Sequence, residues 1–527
     1  MGDKYDRQLR LWGAEGQQRL ANTSVLLVGS CATAAEALKN LVLPGIGRFS
    51  ILDDATVTLA DATNNFFVTA DTVGQSRSKT VAKYLLEMNE DVAGEGRHAS
   101  ASQVLQDDPQ YLDQFNLVIA TQLDEALTIQ LAGLCLIKKI PLLLVTSYGF
   151  LGSLRLQVVQ HTILDAKMDP PRQDLRLSTP FPALTQFAES FNLPSLSSIE
   201  HAHVPFVVLL LQAISRWKDG HGGKAPTTFE EKETFKSMLQ GMAWGPIGHE
   251  MNFLEAIENA YKVYTRPEVP DEVVVVCNAA ASHTLSLEAL DKMKDTKNFW
   301  LQAHALAEFV KQNEGLLPVT GVVPDMTAST ESYVALQELY VNKGNEDARK
   351  VHEILRSHLR DLKLPEDCIS FDDVVAFCKN APNIGMLETR TIAEEYQRID
   401  LSSVDLEDEN KEQSPLIWYV MLRAVAAFVS EFARYPGSED AATIQDGTWL
   451  VLKAKKLAAG TDVADWITDN HALEMTRSCQ VELHNIAALM GGIAAQEAIK
   501  LITHQFEPLN HTYVFNGISG EAATYHL

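Results

Sequence analysis

The residues with the most chemical information lie early in the chain. An apolar run, Val25-Leu26-Leu27-Val28, ends in Gly29 and passes through Ser30-Cys31-Ala32-Thr33-Ala34-Ala35 into helical spacing, while Asp53-Asp54 closes the next apolar run. That is the layout of a dinucleotide or ATP site. The strand-to-helix turn seats phosphate on the helix N-terminus, and the acid after the second strand, Asp53 or Asp54, holds a ribose hydroxyl. The turn itself departs from this chemistry. Glycines let backbone N–H groups close around an oxyanion, and only Gly29 remains, so the Cβ atoms from Ser30 to Ala35 crowd the approach. The competing reading is a plain turn in a packed α/β core, with Asp53 or Asp54 capping the next turn; neither NAD nor FAD is assigned.

A second group sits at the start. Tyr5, Leu9 and Trp12 recur at helical spacing and can pack one face, while Arg7 and Arg10, three apart, project from another. Taken alone, two arginines on a solvated face contribute little. The six cysteines, Cys31, Cys135, Cys277, Cys368, Cys378 and Cys479, form no CxxC pair, which suits reduced thiols rather than a zinc site. Cys368 follows Pro365-Glu366-Asp367, and those acids oppose a thiolate with no neighbouring His or Lys to favour one.

The elements that must position these groups read as alternating strands and helices. Apolar runs at 25–28, 49–52, 117–120 and 141–145 suit buried parallel strands, and residues 34–43, 79–88 and 123–137 carry helical spacing. The order predicts a doubly wound α/β sheet in residues 1–164. Asp169-Pro170-Pro171-Arg172 and Pro180-Phe181-Pro182 then break regular structure. A mainly helical insertion is expected over 165–480, with helices near 205–217, 299–311, 333–340 and 416–432. Residues 484–503 form a small-residue-rich helix and 512–515 a strand, so 481–527 are expected to return to the first domain.

Composition bounds the function. With 527 residues and 46% hydrophobic content the chain can bury a large core. Its 69 acidic against 44 basic residues give a net charge of -25, which argues against nucleic acid as main partner. No run approaches the ~20 apolar residues of a membrane span. The opening Met-Gly-Asp-Lys-Tyr-Asp-Arg lacks the apolar core of a secretory signal, and Asp6 stands where a myristoylation motif needs Ser or Thr. A soluble protein of cytoplasm or nucleus is expected.

Longer motifs carry a resemblance. Tyr5-Asp6-Arg7-Gln8-Leu9-Arg10-Leu11-Trp12-Gly13, Val25 to Gly29, and Lys39-Asn40-Leu41-Val42-Leu43-Pro44-Gly45-Ile46-Gly47 resemble the adenylation (ThiF-like, Rossmann-like) fold of ubiquitin-type activating enzymes. Asp174-Leu175-Arg176-Leu177, Pro324-Asp325-Met326, Ala393-Glu394-Glu395-Tyr396, Met421-Leu422-Arg423-Ala424-Val425 and Arg434-Tyr435-Pro436-Gly437 resemble one branch, the regulatory subunits of neddylation-activating enzymes. The likeness runs from Lys4 to the C-terminus, Gly491-Gly492 included.

The resemblance implies a division of labour. A separate catalytic subunit binds ATP and Mg2+, adenylates the Nedd/Rub modifier, forms the thioester and meets the conjugating enzyme, while this chain binds no cofactor or metal itself. Active adenylating halves carry an R-Q-x-x-F-like segment where this chain reads Thr63-Asn64-Asn65-Phe66-Phe67. Arg77 stands in place of their lysine, and Gln122 in place of their magnesium-binding acid. Gly29, Asp53, Asn64, Arg77 and Gln122 are thus the expected positions of a degenerate ATP site. Arg7 occupies the position that reaches in trans to the partner's ATP phosphates, and an arginine suits charge developing on pyrophosphate. The insertion resembles a catalytic-cysteine domain without its cysteine. Against this stand a self-sufficient adenylating enzyme using Cys368 or Cys378, a nucleotide-cofactor oxidoreductase, and an adaptor with no active-site contribution.

Overall fold

Strands buried on both faces need apolar side chains at every position, and the first four such runs form the centre of one sheet. In a computed structural model, which describes residues 4–245, 249–282, 285–293, 296–402, 404, 411 and 413–527, the chain folds as two units. One comprises Met1–His161 with Leu387–Leu527, the other Thr162–Met386.

The first unit is built on eight strands: β1 (Ser24–Val28), β2 (Arg48–Leu52), β3 (Ala93–Arg97), β4 (Leu117–Thr121), β5 (Leu142–Tyr148), β6 (Leu151–Gln157), β7 (Thr512–Asn516) and β8 (Glu521–Tyr525). Their order is β8-β7-β6-β5-β4-β1-β2-β3. The strands from β3 through β5 pair in parallel, with Val25 opposite Phe49 on one side and Leu117 on the other; β6, β7 and β8 add antiparallel. Alternation divides the core. Val25, Leu27, Leu117 and Ile119 face one layer, and Leu26, Val28, Val118 and Ala120 face the other. Helices α1 (Asp6–Ala21), α2 (Ala32–Val42), α3 (Arg77–Leu86), α4 (Glu125–Lys138), α5 (Ile392–Gln397), α6 (Pro415–Phe432) and α7 (His484–Thr503) belong to this unit. Small residues let α7 approach α2 closely: a Cβ on Gly491 would lie 2.8 Å from the Ala37 backbone nitrogen.

Two departures from expectation have physical causes. The helical unit ends at Met386 rather than near 480, because α6 packs its apolar face on Tyr148, Leu151, Val514 and Tyr525 of the sheet. Residues 387–480 therefore belong to the first unit. Helices α6 and α7 also have the length and apolar composition of membrane spans, but 72% and 61% of the relevant windows are buried inside the protein, as core helices are.

The second unit is mainly helical. Phe206–Gly220 buries Phe206 to Leu211 and Trp217 against Phe235 and Tyr340. Lys297–Gln312 supplies Trp300 to a second cluster, and the helix expected near 333–340 runs the full 32 residues of Thr330–Asp361. Cys378 is buried here and burial pushes its thiol up to about 12, which opposes an acceptor role; Cys368 is exposed.

Candidate functional site

Strand order reverses between β1 and β4, the point at which open α/β sheets hold ligands beyond their strand ends. Gly29 makes the turn after β1 with φ +90°, and a Cβ there would lie 2.7 Å from Thr121 Oγ1 and 3.1 Å from the Thr121 carbonyl oxygen. Glycine is required for both conformation and space.

The occupant of the helix end beyond this turn was not legible in the sequence. The first backbone N–H groups of a helix lack internal partners, which makes this end an anion seat. At α2 the seat is taken by the chain's own carboxylate. Glu482 accepts from Ala32 N at 3.0 Å through Oε2, and from Thr33 N at 3.2 Å and Thr33 Oγ1 at 2.6 Å through Oε1. It is 8% exposed. The segment before α7 delivers it: Gly149 N donates to Val481 O at 2.7 Å, and Asn64 Nδ2 donates to the Glu482 carbonyl at 3.0 Å. Asn65 Nδ2 meets Ser30 O at 3.3 Å. Asn64 is thus part of the clamp holding the internal anion.

Asp53 is equally engaged. Its Oδ1 accepts from Ala55 N at 2.9 Å, an Asx-type turn, and its Oδ2 receives both the Ser30 hydroxyl and Arg77 Nε, the latter at 2.9 Å. Arg77 reaches Asp61 Oδ1 with Nη1 at 3.0 Å. Burial opposes the Arg77 charge, but Asp53 and then Asp61 outweigh it and hold the guanidinium firmly protonated. Asp54 is exposed.

Gln122 follows β4 with φ +55°. Its amide donates through Nε2 to Ser147 O and accepts through Oε1 from Ser147 N at 3.4 Å, tying β4 to β5. A carboxylate could make only the second of these bonds. Asp124 nearby caps α4, accepting from Leu127 N and Ser430 Oγ, each at 2.9 Å. Cys31 is buried; burial first and Glu482 second drive its thiol far above its ordinary range, so it is no nucleophile. Tyr435 senses the same surroundings: burial first, then Cys31 and Glu482, push its hydroxyl up to about 12. Among the described residues no three His, Cys, Asp or Glu side chains gather as a metal site.

The structure thus brings Gly29, Asp53, Asn64, Arg77 and Gln122 together, with Glu482 as the unforeseen member. Arg7 shares no hydrogen bond or ion pair with them among the described residues. It is exposed on α1, while Arg10 pairs with Asp6 at 3.0 Å. Tyr5 is buried and donates to Asp91 Oδ2 at 2.9 Å; Trp12 Nε1 donates to Gln17 Oε1 at 3.0 Å. These residues do not fit ATP with magnesium: a carboxylate holds the phosphate seat, and an amide tied to backbone stands after β4.

The ThiF family model matches residues 5–526. A NEDD8-activating enzyme E1 regulatory subunit of Xenopus laevis is 35% identical over 534 residues, covering 99% of this chain and 98% of its own. The NEDD8-activating enzyme E1 regulatory subunit AXR1 of Arabidopsis thaliana is 36% identical, covering 98% and 94%. A Saccharomyces cerevisiae protein, also named as a regulatory subunit, is 27% identical and covers all of both chains. The chain therefore belongs to the ThiF family, in the group of NEDD8-activating enzyme E1 regulatory subunits.

Proposed function

We propose that this chain is the non-catalytic member of a two-chain enzyme of cytoplasm or nucleus that activates a NEDD8-type modifier. The partner subunit binds ATP and Mg2+, adenylates the modifier and carries the thioester. The observation that carries this reading is the Glu482 carboxylate on the first N–H groups of α2, 2.6–3.2 Å from its three donors. A triphosphate would have to expel a hydrogen-bonded charge of its own sign, and charge-assisted bonds of this kind are worth about 1.5–3 kcal/mol each. Arg77, beside this seat, is already held between Asp53 and Asp61.

What this chain offers the reaction is Arg7, which reaches in trans to the ATP phosphates of the partner subunit. Its exposure on α1 supports this, as does the absence of an ion pair to it among the described residues, since its charge and donors are available to another chain. A planar cation follows negative charge as it moves onto pyrophosphate. The Thr162–Met386 unit contributes shape, walling a groove for the modifier and its conjugating enzyme.

The test is pyrophosphate exchange. The isolated chain is expected to give no modifier-dependent exchange, and addition of a catalytic subunit to yield a modifier thioester on that subunit alone. Exchange by the isolated chain would sink the proposal and favour a self-sufficient enzyme.

A further inference from the structure

One motif of the sequence takes no part in modifier activation as proposed. Met421-Leu422-Arg423-Ala424-Val425 lies in α6, whose face toward the sheet is otherwise apolar, and Arg423 is only 3% exposed. Its guanidinium stacks on the Tyr396 ring, 3.3 Å from the centroid. Stacking fixes the plane and leaves the five N–H donors on its rim. Among the described residues none of the three nitrogens makes a well-aligned hydrogen bond to a protein acceptor, although the Tyr419 hydroxyl and Glu395 lie close to them. The nearest carboxylate oxygen, Glu395 Oε1, lies 3.5 Å from Nη1 and receives the Tyr419 hydroxyl instead.

The charge balance is uneven. Arg155, also 3% exposed, takes the other oxygen of Glu395 at 2.5 Å through Nε, and its Nη2 donates to Arg390 O at 2.7 Å. Two buried guanidiniums therefore share one fully buried carboxylate. The tyrosines do not make up the deficit: burial, then Glu395, raises Tyr419 well above its ordinary value, and burial raises Tyr396, so both remain neutral. Glu125, at the start of α4, also acts on Tyr396; one of its oxygens lies 4.0 Å from Lys453, so each of these two charges has the other as its neighbour and Arg423 still shares Glu395 with Arg155. An uncompensated buried charge is costly, so a cation kept here needs a partner.

Space for that partner exists. Arg423, Arg155, Tyr396, Tyr419, Thr128 and Gln122 line a cavity of about 50 Å³. That volume leaves room for a small anion beside the guanidinium. We infer that the cavity under α6 is a binding site for a small monovalent anion, chloride in the cell, held by the Arg423 guanidinium against α5 and β6. The inference stands apart from the proposed role in modifier activation, since it needs neither partner subunit nor ATP.

Crystals of the full chain soaked in bromide are expected to show an anomalous peak beside the Arg423 Nη atoms. In solution, replacing gluconate by chloride at constant ionic strength is expected to raise Tm saturably by about 2 °C. That response is lost in Arg423→Met. Should that variant fail to fold, Arg423→Lys, which keeps the charge but loses the fork, is expected to blunt the response. Anomalous density absent from the cavity, or melting curves of the unaltered chain that coincide in the two salts, would overturn the assignment.

Discussion

The N-terminus of α2 and the cavity under α6 both gather donors that the local backbone cannot satisfy, and the chain treats them oppositely. At α2 it supplies its own anion from some 450 residues away, so the two N–H groups and the Thr33 hydroxyl are all satisfied. Under α6 it supplies one fully buried carboxylate for two guanidiniums and, among the described residues, leaves the Arg423 rim without a well-aligned acceptor. A donor cluster answered in cis is closed to ligands, whereas one left unanswered invites them. Arg7 is a third case, a cation turned outward on α1.

The comparison can be broken first at Glu482. Glu482→Ala strips α2 of its counter-charge and is expected to cost about 3 kcal/mol, read as a lower urea midpoint with an unchanged m-value. If the seat is a true anion site, millimolar sulfate then restores part of the loss and leaves the parent protein unaffected. A variant as stable as the parent, or indifferent to sulfate, would show that Glu482 merely borders the helix. Arg7→Ala comes next. It is expected to slow modifier adenylation by the reconstituted pair by about 10- to 100-fold, equivalent to about 1.4–2.7 kcal/mol, without moving the midpoint of the isolated chain. Unchanged adenylation would make the chain an adaptor. Smallest is Arg77→Lys, which keeps the charge but cannot span Asp53 and Asp61 with a rigid fork; a loss of about 1 kcal/mol is expected by the same unfolding measurement.

How much of this was legible in the sequence depends on how far each interaction reaches along the chain. β1, β4 and the first half of β5 are continuous apolar runs, and β2 is one interrupted only by Ser50, because both their faces are covered. The edge strand β3, Ala-Gly-Glu-Gly-Arg, gives no such signal: its glycines are there because a Cβ on Gly94 would collide with the Phe49 ring and one on Gly96 with the Ser78 backbone. β6 gives no such signal either, since it buries Ser153, Arg155 and Gln157, polar residues whose partners lie elsewhere. The far boundary of the helical unit, at Met386 and not near 480, is hidden for a related reason. An amphipathic or apolar helix has the same spacing whether a sheet or other helices cover it, so α6 carried no mark of its unit. Of the site, the turn at Gly29 and the acid at Asp53 were legible from local pattern. Glu482 was not, because nothing near Val481-Glu482-Leu483 indicates which helix end it will meet.

Gly13 interrupts α1 with φ +72°, and a side chain there would meet nothing within 4 Å, so the residue serves the backbone's path rather than packing. The two turns before it form a separate rod, fastened by Tyr5 to Asn89 and Asp91 at one end and by the Trp12 carbonyl to Gln505 at the other. Its bearing is set by these fasteners, with Lys4 also on Asn89 and Asp91 and Trp12 on Gln17, rather than by an unbroken helix alone. An arm mounted in this way can be re-aimed by changes at either anchorage while the sheet it rests on stays as it is.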